Sequence, residues 1–263
     1  MPYQRVNDVQ IYYERHGRDE AFPLVCINGL LSDTTSWALQ VPVLREHFHV
    51  LTYDCRSQGL SDIPPGPYSQ AVHVADLLGL LDALGIERLH VIGLSNGGTI
   101  AMWLAAHHPE RVARLVLIDT FPMVDAVMRV KLESWLQALA LGGTAARYDV
   151  ALPWMYGNRF IRDNPDMIAQ GREKAMQRDP LAVRTMIEGT LDYSLDGKLE
   201  QIQAPTLVIA GEEDLLTPVW YSEQIAASIP HAQLQRIAGT GHVPTLECPD
   251  LINTMLLDFL LSP

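Results

Sequence analysis

The most regular feature of the chain is a series of short apolar runs separated by stretches with helical spacing. The runs at 24–27, 49–53, 89–92, 115–118 and 206–210 are rich in Val, Ile and Leu, which predicts buried strands. A run at 9–14 predicts an earlier strand. Between the strands, residues 70–84 place apolar side chains at helical spacing, and the N-cap-rich segment Ser32–Trp37 predicts a helix that extends to about Arg45. This alternation predicts an α/β protein with a parallel sheet covered by helices on both faces.

The alternation stops between about Phe121 and Glu200. This stretch is typical of helices, contains six of the nine methionines, and has no apolar run typical of a buried strand. After it, the pattern predicts a strand at 206–210, a helix near 218–228, a strand near 232–237 and a C-terminal helix from about Asp250. We therefore expect an α/β core formed by residues 1–120 and 201–263, with residues 121–200 inserted as a helical cap.

The charge of the chain is unevenly divided between these two parts. The net charge of −12 opposes binding to nucleic acid or to anionic lipid, so neither is expected as a partner. The predicted cap carries 10 basic and 11 acidic residues, whereas the predicted core carries 9 basic and 20 acidic residues. The cap is therefore much less acidic than the core.

Cysteine usage and the N-terminal sequence predict the cellular location. The three cysteines are too few and too scattered for a disulfide framework, and free thiols are typical of a reducing compartment. The N-terminal residues lack a charged segment followed by an apolar one, and no apolar stretch approaches the roughly 20 residues that span a bilayer. We expect a cytoplasmic protein with no membrane partner.

The pentapeptide Gly93-Leu94-Ser95-Asn96-Gly97 lies between a predicted strand and a predicted helix. A G-x-S-x-G sequence at such a junction forms a sharp turn that can hold the serine as a nucleophile. The glycines are needed because larger side chains two residues on either side of the serine would collide. Ser95 is therefore the candidate nucleophile.

A serine hydroxyl needs a base to accept its proton and a carboxylate to orient that base. Asp214 directly follows the strand at 206–210, and His242 lies in the loop after the last predicted strand. The chain order Ser95, Asp214, His242 is the order of a Ser-His-Asp triad on an α/β sheet. The alternatives are that Asp214 only forms a turn or caps a helix, that Asp119, which also ends a strand, is the acid, and that His242 is an ordinary loop residue.

The oxyanion formed during acyl transfer needs two backbone N–H donors. Asn96 follows the nucleophile at a helix N-terminus, and Leu30 lies in the loop Asn28-Gly29-Leu30-Leu31 after an apolar strand. The alternative for this loop is a plain strand-to-helix connection. The histidines show no spacing typical of metal ligands, so neither a metal nor another cofactor is expected.

The segments that carry a resemblance to a known family are Asn28 to Trp37, Asp54 to Ser61, Gly93 to Gly98, Ala204 to Asp214, Gly241-His242 and Glu247-Cys248-Pro249. Taken together, they resemble the α/β-hydrolase superfamily over nearly the whole chain, and most closely the 3-oxoadipate enol-lactonases and related small esterases. The resemblance implies a mostly parallel, eight-stranded sheet with an inserted helical cap. Many relatives have His where this chain has Asn28 and Gly where it has Ser57, and neither change removes a backbone donor.

The serine nucleophile implies attack on an acyl carbon in a small-molecule ester, lactone or thioester. We expect the substrate to contact Leu31, Trp154, Met155 and Val243. If the substrate is an acid, Arg159 and Arg162 in the cap are the expected anion-binding residues. Hydrolysis of a thioester or a carbon–carbon bond, and a ligand receptor without turnover, are the alternative functions, and the sequence leaves the oligomeric state open.

Overall fold

The computed structural model describes residues 2–262. Its eight strands form one sheet in the order β1-β2-β4-β3-β5-β6-β7-β8. β1 and β2 are antiparallel to their neighbours, whereas β3 to β8 run parallel, in agreement with the expected mostly parallel eight-stranded sheet. The strands are β1 Tyr3–Val6, β2 Val9–His16, β3 Pro23–Ile27, β4 His49–Tyr53, β5 Leu89–Leu94, β6 Val112–Ile118, β7 Thr206–Gly211 and β8 Gln233–Ile237.

Within residues 2–262, ten α-helices connect these strands, cover the sheet or lie between β6 and β7. α2, α3 and α8 pack on one face of the sheet, while α1 and α10 pack on the other. The helices are α1 Val41–Leu44, α2 Gln70–Ala83, α3 Asn96–His107, α4 Ala126–Met155, α5 Asn158–Asp163, α6 Pro165–Met176, α7 Pro180–Thr190, α8 Val219–Ser228, α9 Pro244–Glu247 and α10 Pro249–Leu260.

The central strands are buried on both faces because their alternating side chains enter two separate clusters. In β3, Val25 and Ile27 pack toward α2 and α3, whereas Leu24 and Cys26 pack toward α1 and α10. Successive residues of a strand point to opposite faces of the sheet, and here both faces are buried. The central strands therefore appear in the sequence as continuous apolar runs.

Helices α4 to α7 lie between β6 and β7 and are called the cap below. α4 packs against α6 and α7, and its buried side chains, among them Leu132 and Trp135, join the cluster on the α2 and α3 face. α4 bends at Gly142 and Gly143, where the backbone leaves the helical conformation. The cap boundaries at 121 and 200 stay predictions.

Two local predictions were wrong. In place of one helix from Ser32 to Arg45, a short 3-10 turn at Thr34–Trp37 precedes α1. Pro42 explains the interruption, because proline lacks an N–H and is tolerated in the first turn of a helix but not in its interior. Strand β1 was missed because it exposes most of its side chains and so has no apolar run.

Candidate active site

Ser95 sits between β5 and α3 in a strained backbone conformation, with φ 55° and ψ −120°. Its N–H donates to the Ile118 carbonyl at 2.9 Å, and its carbonyl accepts from Thr120 Oγ1 at 2.7 Å. A Cβ on Gly93 would lie 2.4 Å from the Gly97 carbonyl oxygen, and a Cβ on Gly97 would lie 2.1 Å from the Ile27 carbonyl oxygen. The two glycines are therefore a steric requirement of the turn that presents Ser95.

Asp214 lies within hydrogen-bond distance of His242. The His242 Nδ1 atom is 2.7 Å from Asp214 Oδ2, and both side chains are almost completely buried. The Asp214 carboxylate also accepts from the N–H of Leu216 at 2.7 Å and from the N–H and hydroxyl of Thr217. Burial acts to raise the pKa of Asp214, but the charge of His242 and these hydrogen bonds outweigh it and hold the pKa below its ordinary value. Asp214 is thus a carboxylate, so His242 donates through Nδ1, which leaves Nε2 free of the proton in the neutral ring.

The rival acid Asp119 is placed differently. Its Oδ1 accepts from the Gly211 N–H at 2.8 Å, and no described hydrogen bond joins it to His242. Burial, followed by the neighbouring charge of Asp214, raises the pKa of Asp119 well above its ordinary value. The geometry therefore favours Asp214, and not Asp119, as the partner of His242.

The loop that carries His242 is held by Glu247, a residue whose positioning role the sequence reasoning missed. Glu247 Oε2 accepts from the N–H groups of Gly241 and Gly157, each at 3.0 Å. The His242 N–H itself donates to the Met155 carbonyl at 2.6 Å. The sequence signal was a glutamate in the first turn of a short helix after the histidine, where side-chain oxygens meet free backbone N–H groups.

The N–H groups of Leu30 and Asn96 are the predicted oxyanion donors. Within residues 2–262, neither N–H has a described hydrogen-bond acceptor. The Gly29 carbonyl accepts from Gln58 Nε2 at 2.8 Å, and in a trans peptide the Leu30 N–H points the opposite way. Asn96 begins α3, so its N–H is one of the free donors of a helix N-terminus. Their role stays a prediction.

The two departures from the family pattern are accommodated locally. Asn28 is buried, donates to the Tyr53 carbonyl at 2.9 Å and accepts from Trp37 Nε1 at 2.8 Å. Ser57 adopts a positive φ of 63°, the region in which glycine is preferred. The first substitution therefore ties the Leu30 loop to β4, and the second keeps the backbone conformation of a glycine.

A cavity of about 460 Å³ lies between the sheet and the cap. Its wall brings together the predicted residues Ser95, His242, Leu30, Asn96, Leu31, Met155 and Val243. Ser95 Oγ makes no described hydrogen bond, so the structure brings Ser95 and His242 to one cavity without a bond between them. Such contacts are often longer in an enzyme without substrate.

Trp154 is the predicted substrate contact that the structure does not bring to the cavity. It is half-buried against the core, and its carbonyl accepts from the N–H groups of Leu215 at 3.2 Å and Leu216 at 3.0 Å. Successive residues on a helix point about 100° apart, so Met155 faces the cavity and its neighbour Trp154 does not.

The expected anion-binding residues were also misplaced. Arg159 and Arg162 are exposed and do not line the cavity, and Arg162 pairs with Asp163 at 2.6 Å. The basic residues that do line it are Arg147, Lys174 and Arg178, all from the cap. The structure therefore does not bring Arg159 and Arg162 to the cavity, and an anion-binding role for cap residues stays a prediction.

Residues 2–262 show neither a metal-binding cluster nor a membrane-spanning helix. No cluster of three or more His, Cys, Asp and Glu side chains there could hold a metal ion. No helix in the same range is long and apolar enough to cross a membrane.

Comparison with known proteins places this geometry in a family. The family described as the alpha/beta hydrolase fold matches residues 23–249. A protein of Caulobacter segnis named carbamate hydrolase RutD is 32% identical over 256 residues, which cover 95% of this chain and 96% of the relative. A 3-oxoadipate enol-lactonase of Acinetobacter baylyi is 27% identical and is covered over 91% of its length, against 94% of this chain.

Solved structures agree with the sequence relatives. The crystal structure of the enol-lactonase from Burkholderia xenovorans superimposes with a TM-score of 0.93, at 30% identity, over 99% of this chain and 100% of the other. The expected resemblance to enol-lactonases is confirmed. The chain therefore belongs to the alpha/beta hydrolase fold family.

Proposed function

We propose that this hydrolase cleaves a carboxylic ester or lactone of a small molecule through a Ser-His-Asp triad and an acyl-enzyme intermediate. The observation that carries the proposal is the buried pair of Asp214 and His242, 2.7 Å apart, in which His242 lines the same cavity as Ser95 in its strained turn. Strain in such a turn is usually retained for function. The similarity to an enol-lactonase supports the same reaction class.

In the proposed reaction, Ser95 Oγ attacks the acyl carbon while its proton passes to His242 Nε2. Asp214 stabilises the imidazolium that forms, and the N–H groups of Leu30 and Asn96 stabilise the oxyanion. The C–O bond to the alcohol then breaks, and His242 returns the proton to the leaving oxygen. A water molecule, deprotonated by His242, attacks the acyl-enzyme and releases the acid, which restores Ser95. In a lactone, the alcohol and the acid stay in one product.

The test is steady-state hydrolysis of 4-nitrophenyl butyrate by the wild type and by Ser95→Ala. We expect repeated turnover by the wild type and a loss of about 10⁶-fold in kcat for the variant, because the nucleophile is removed. Ser134→Ala, in the cap and outside the cavity, is the control and should keep wild-type turnover. Activity of Ser95→Ala above about one tenth of wild type contradicts the proposal. A single stoichiometric burst from the wild type favours a ligand receptor instead.

Hydrolysis of a carbamate is the second candidate, favoured by 32% identity to the protein named carbamate hydrolase RutD. The same nucleophile and donors fit attack on a carbamoyl carbon. A panel of short esters, γ-lactones, acyl thioesters and alkyl carbamates, compared by kcat/KM, separates these bond types. We also propose a cytoplasmic location, supported by the three free cysteines, and no nucleic-acid partner, supported by the net charge of −12.

A further inference from the structure

The side-chain amide of Asn96, the residue after Ser95, is held in one orientation by buried neighbours. Gln70, in the first turn of α2, donates from Nε2 to Asn96 Oδ1 at 3.2 Å and to Thr99 Oγ1 at 3.2 Å. Thr99 donates in turn to the Asn96 carbonyl at 2.7 Å. Gln70, Asn96 and Thr99 each expose at most 2% of their surface, so bulk water does not compete for these bonds.

The single proton of the Thr99 hydroxyl decides which way the two amides face. Since that proton goes to the Asn96 carbonyl, Thr99 Oγ1 can only accept from Gln70, and the Gln70 atom that faces it must be the donor Nε2. The second proton of Nε2 then needs an acceptor on Asn96, which is Oδ1 and not Nδ2. The network therefore turns Asn96 Nδ2 away from Gln70.

This orientation leaves Asn96 Nδ2 as a free donor on the cavity wall. Asn96 lines the cavity, and among residues 2–262 no described group accepts a hydrogen bond from Nδ2, although protein atoms do not enclose it. Thr190, at the end of the cap helix α7, lines the same cavity and brings its Oγ1 to 3.5 Å from Asn96 Oδ1. The amide is thus fixed between α2 and the cap, and the partner of Nδ2 is left to a ligand.

The two donors of Asn96 address different atoms of a ligand. The free N–H groups at a helix N-terminus point along the helix axis, whereas side chains project from the side of the helix. The backbone N–H of Asn96 is the donor proposed for the oxyanion. Nδ2 therefore reaches an atom that is close to the oxyanion but distinct from it.

The strand order indicates which part of the substrate lies beside this amide. Gln70 begins α2, which follows β4, whereas His242 follows β8. In the sheet, β4 and β8 lie on opposite sides of β5, the strand that leads to Ser95. Because His242 protonates the leaving oxygen in the proposed reaction, the alcohol lies on the His242 side. The amide of Asn96 is then on the side of the acyl chain.

We propose that Asn96 Nδ2 donates a hydrogen bond to a neutral oxygen in the acyl chain of the substrate, and that Gln70 is the positioning residue that orients this amide. The preferred substrate is then an ester or lactone of an acid that carries an ether or hydroxyl oxygen near the reacting carbonyl, and not of a plain alkanoic acid. This inference rests on the proposed function, because the same substrate must present its acyl carbon to Ser95.

The test compares 4-nitrophenyl methoxyacetate with 4-nitrophenyl butyrate, which differ by the exchange of one CH₂ group for an ether oxygen. For the wild type, the ratio of kcat/KM for the methoxyacetate to that for the butyrate should exceed the ratio of their spontaneous hydrolysis rates in the same buffer. In Asn96→Leu, which keeps the shape of the side chain but removes the donor, the enzymatic ratio should fall by about five- to tenfold.

Gln70→Glu tests the orientation of the amide without altering Asn96. A carboxylate only accepts, so the amide should turn Nδ2 toward it and present Oδ1 to the cavity. The ratio at pH 8 should therefore fall at least as far as in Asn96→Leu. Ala71→Glu is the matched control, because it adds the same charge at the next residue of α2, which is exposed and outside the cavity, and it should leave the ratio unchanged.

The outcomes separate this inference from the proposed function. Thermal unfolding checks that each variant is folded, and Gln70→Glu decides the question if Asn96→Leu is not. A wild-type ratio equal to the spontaneous one, or a ratio that neither variant changes, overturns the contact with Nδ2 and leaves the esterase activity intact. An equal loss on both esters assigns the amide to the structure of the turn at Ser95 and also overturns the contact. Failure of the wild type to hydrolyse either ester overturns the proposed function and this inference with it.

Discussion

Two arginines, one in the core and one in the cap, are equally buried but differ in what surrounds them. Arg56 and Arg147 each expose 4% of their surface, and each lies over an aromatic ring. Arg56 donates to both oxygens of Asp76, at 2.6 and 2.8 Å, and to Asp8 at 3.0 Å. Arg147 contacts no described acid. Burial acts to lower the pKa of Arg56, but its two acids raise it above the ordinary value, whereas the pKa of Arg147 falls to about 10.

The different surroundings of Arg56 and Arg147 indicate which charges the fold itself needs. The bidentate ion pair of Arg56 and Asp76 holds the loop after β4 to α2, and its atoms are satisfied without any ligand. A buried arginine without a partner costs free energy in the folded protein, so the fold itself does not need the charge of Arg147. We therefore expect substitution of Arg56 to change stability far more than substitution of Arg147.

The largest effect is expected from substitution of Asp214, the core acid that contacts His242. Asp214→Asn removes the carboxylate that sets the tautomer and orientation of the imidazole, so kcat should fall by about 10⁴-fold. Asp119→Asn, a matched change of a buried acid that does not contact His242, should lower kcat far less. Steady-state hydrolysis of 4-nitrophenyl butyrate provides the measurement. A larger loss in Asp119→Asn would move the catalytic acid to Asp119.

The second test exchanges the two arginines for methionine. Arg56→Met leaves Asp76 buried without its counter-ion and should lower the free energy of unfolding by about 3 to 5 kcal/mol. Arg147→Met removes an unpaired charge and loses one cation–π contact, so its free energy of unfolding should stay within about 1 kcal/mol of wild type. Urea denaturation measures both. Equal destabilisation would mean that Arg147 stabilises the fold as much as Arg56 does, although it has no acid partner.

The core part of the site was predictable because local sequence determines it. The Gly-x-Ser-x-Gly turn has a steric cause, visible in the 2.4 and 2.1 Å approaches at Gly93 and Gly97. Residues that follow parallel strands meet at one edge of the sheet, which is why Asp214 and His242 could be paired from chain order. The central strands were also predictable, because burial on both faces gives them continuous apolar sequences.

The cap was less predictable because its cavity face depends on how long helices dock. α4 bends at Gly142 and Gly143, and this bend sets which side chains of its second half, Arg147 and Met155 among them, reach the cavity. A net charge summed over the segment does not contain that information. Arg159 and Arg162 were therefore selected by proximity to Trp154, which itself faces away from the cavity.

Asp119 is a buried core acid, and no cation among residues 2–262 forms an ion pair with it. Its pKa is raised by burial and by Asp214, so the folded protein binds this proton more tightly than the unfolded chain does. Above its ordinary pKa of about 4, the unfolded state binds fewer protons, and the stability of the wild type falls with pH relative to a neutral isostere. The Tm of Asp119→Asn minus that of wild type should therefore increase as the pH rises above about 4. A constant difference would mean that Asp119 is ionised in the folded protein.

The smallest expected effect concerns Lys174, a cap cation on the cavity wall that does have an acid partner. Lys174 Nζ lies 2.8 Å from Asp33 Oδ2, so the pair joins the cap to the core, but half of the lysine side chain is exposed. Lys174→Gln should lower the free energy of unfolding by at most about 1 kcal/mol, and less at high salt. Arg172→Gln is the matched control, since Arg172 pairs with Asp149 inside the cap and joins no core residue.

The pH dependence of that small effect follows from Asp33. Burial acts to raise its pKa, but hydrogen bonds from Lys174 and Thr35 outweigh it and hold the pKa below the ordinary value. The stability that the pair contributes is therefore present above the ordinary pKa of about 4 and is lost as the pH falls through the lower folded value. Urea denaturation of Lys174→Gln and wild type should converge at acidic pH. A difference in stability between Lys174→Gln and wild type that does not change with pH would contradict this role of Asp33.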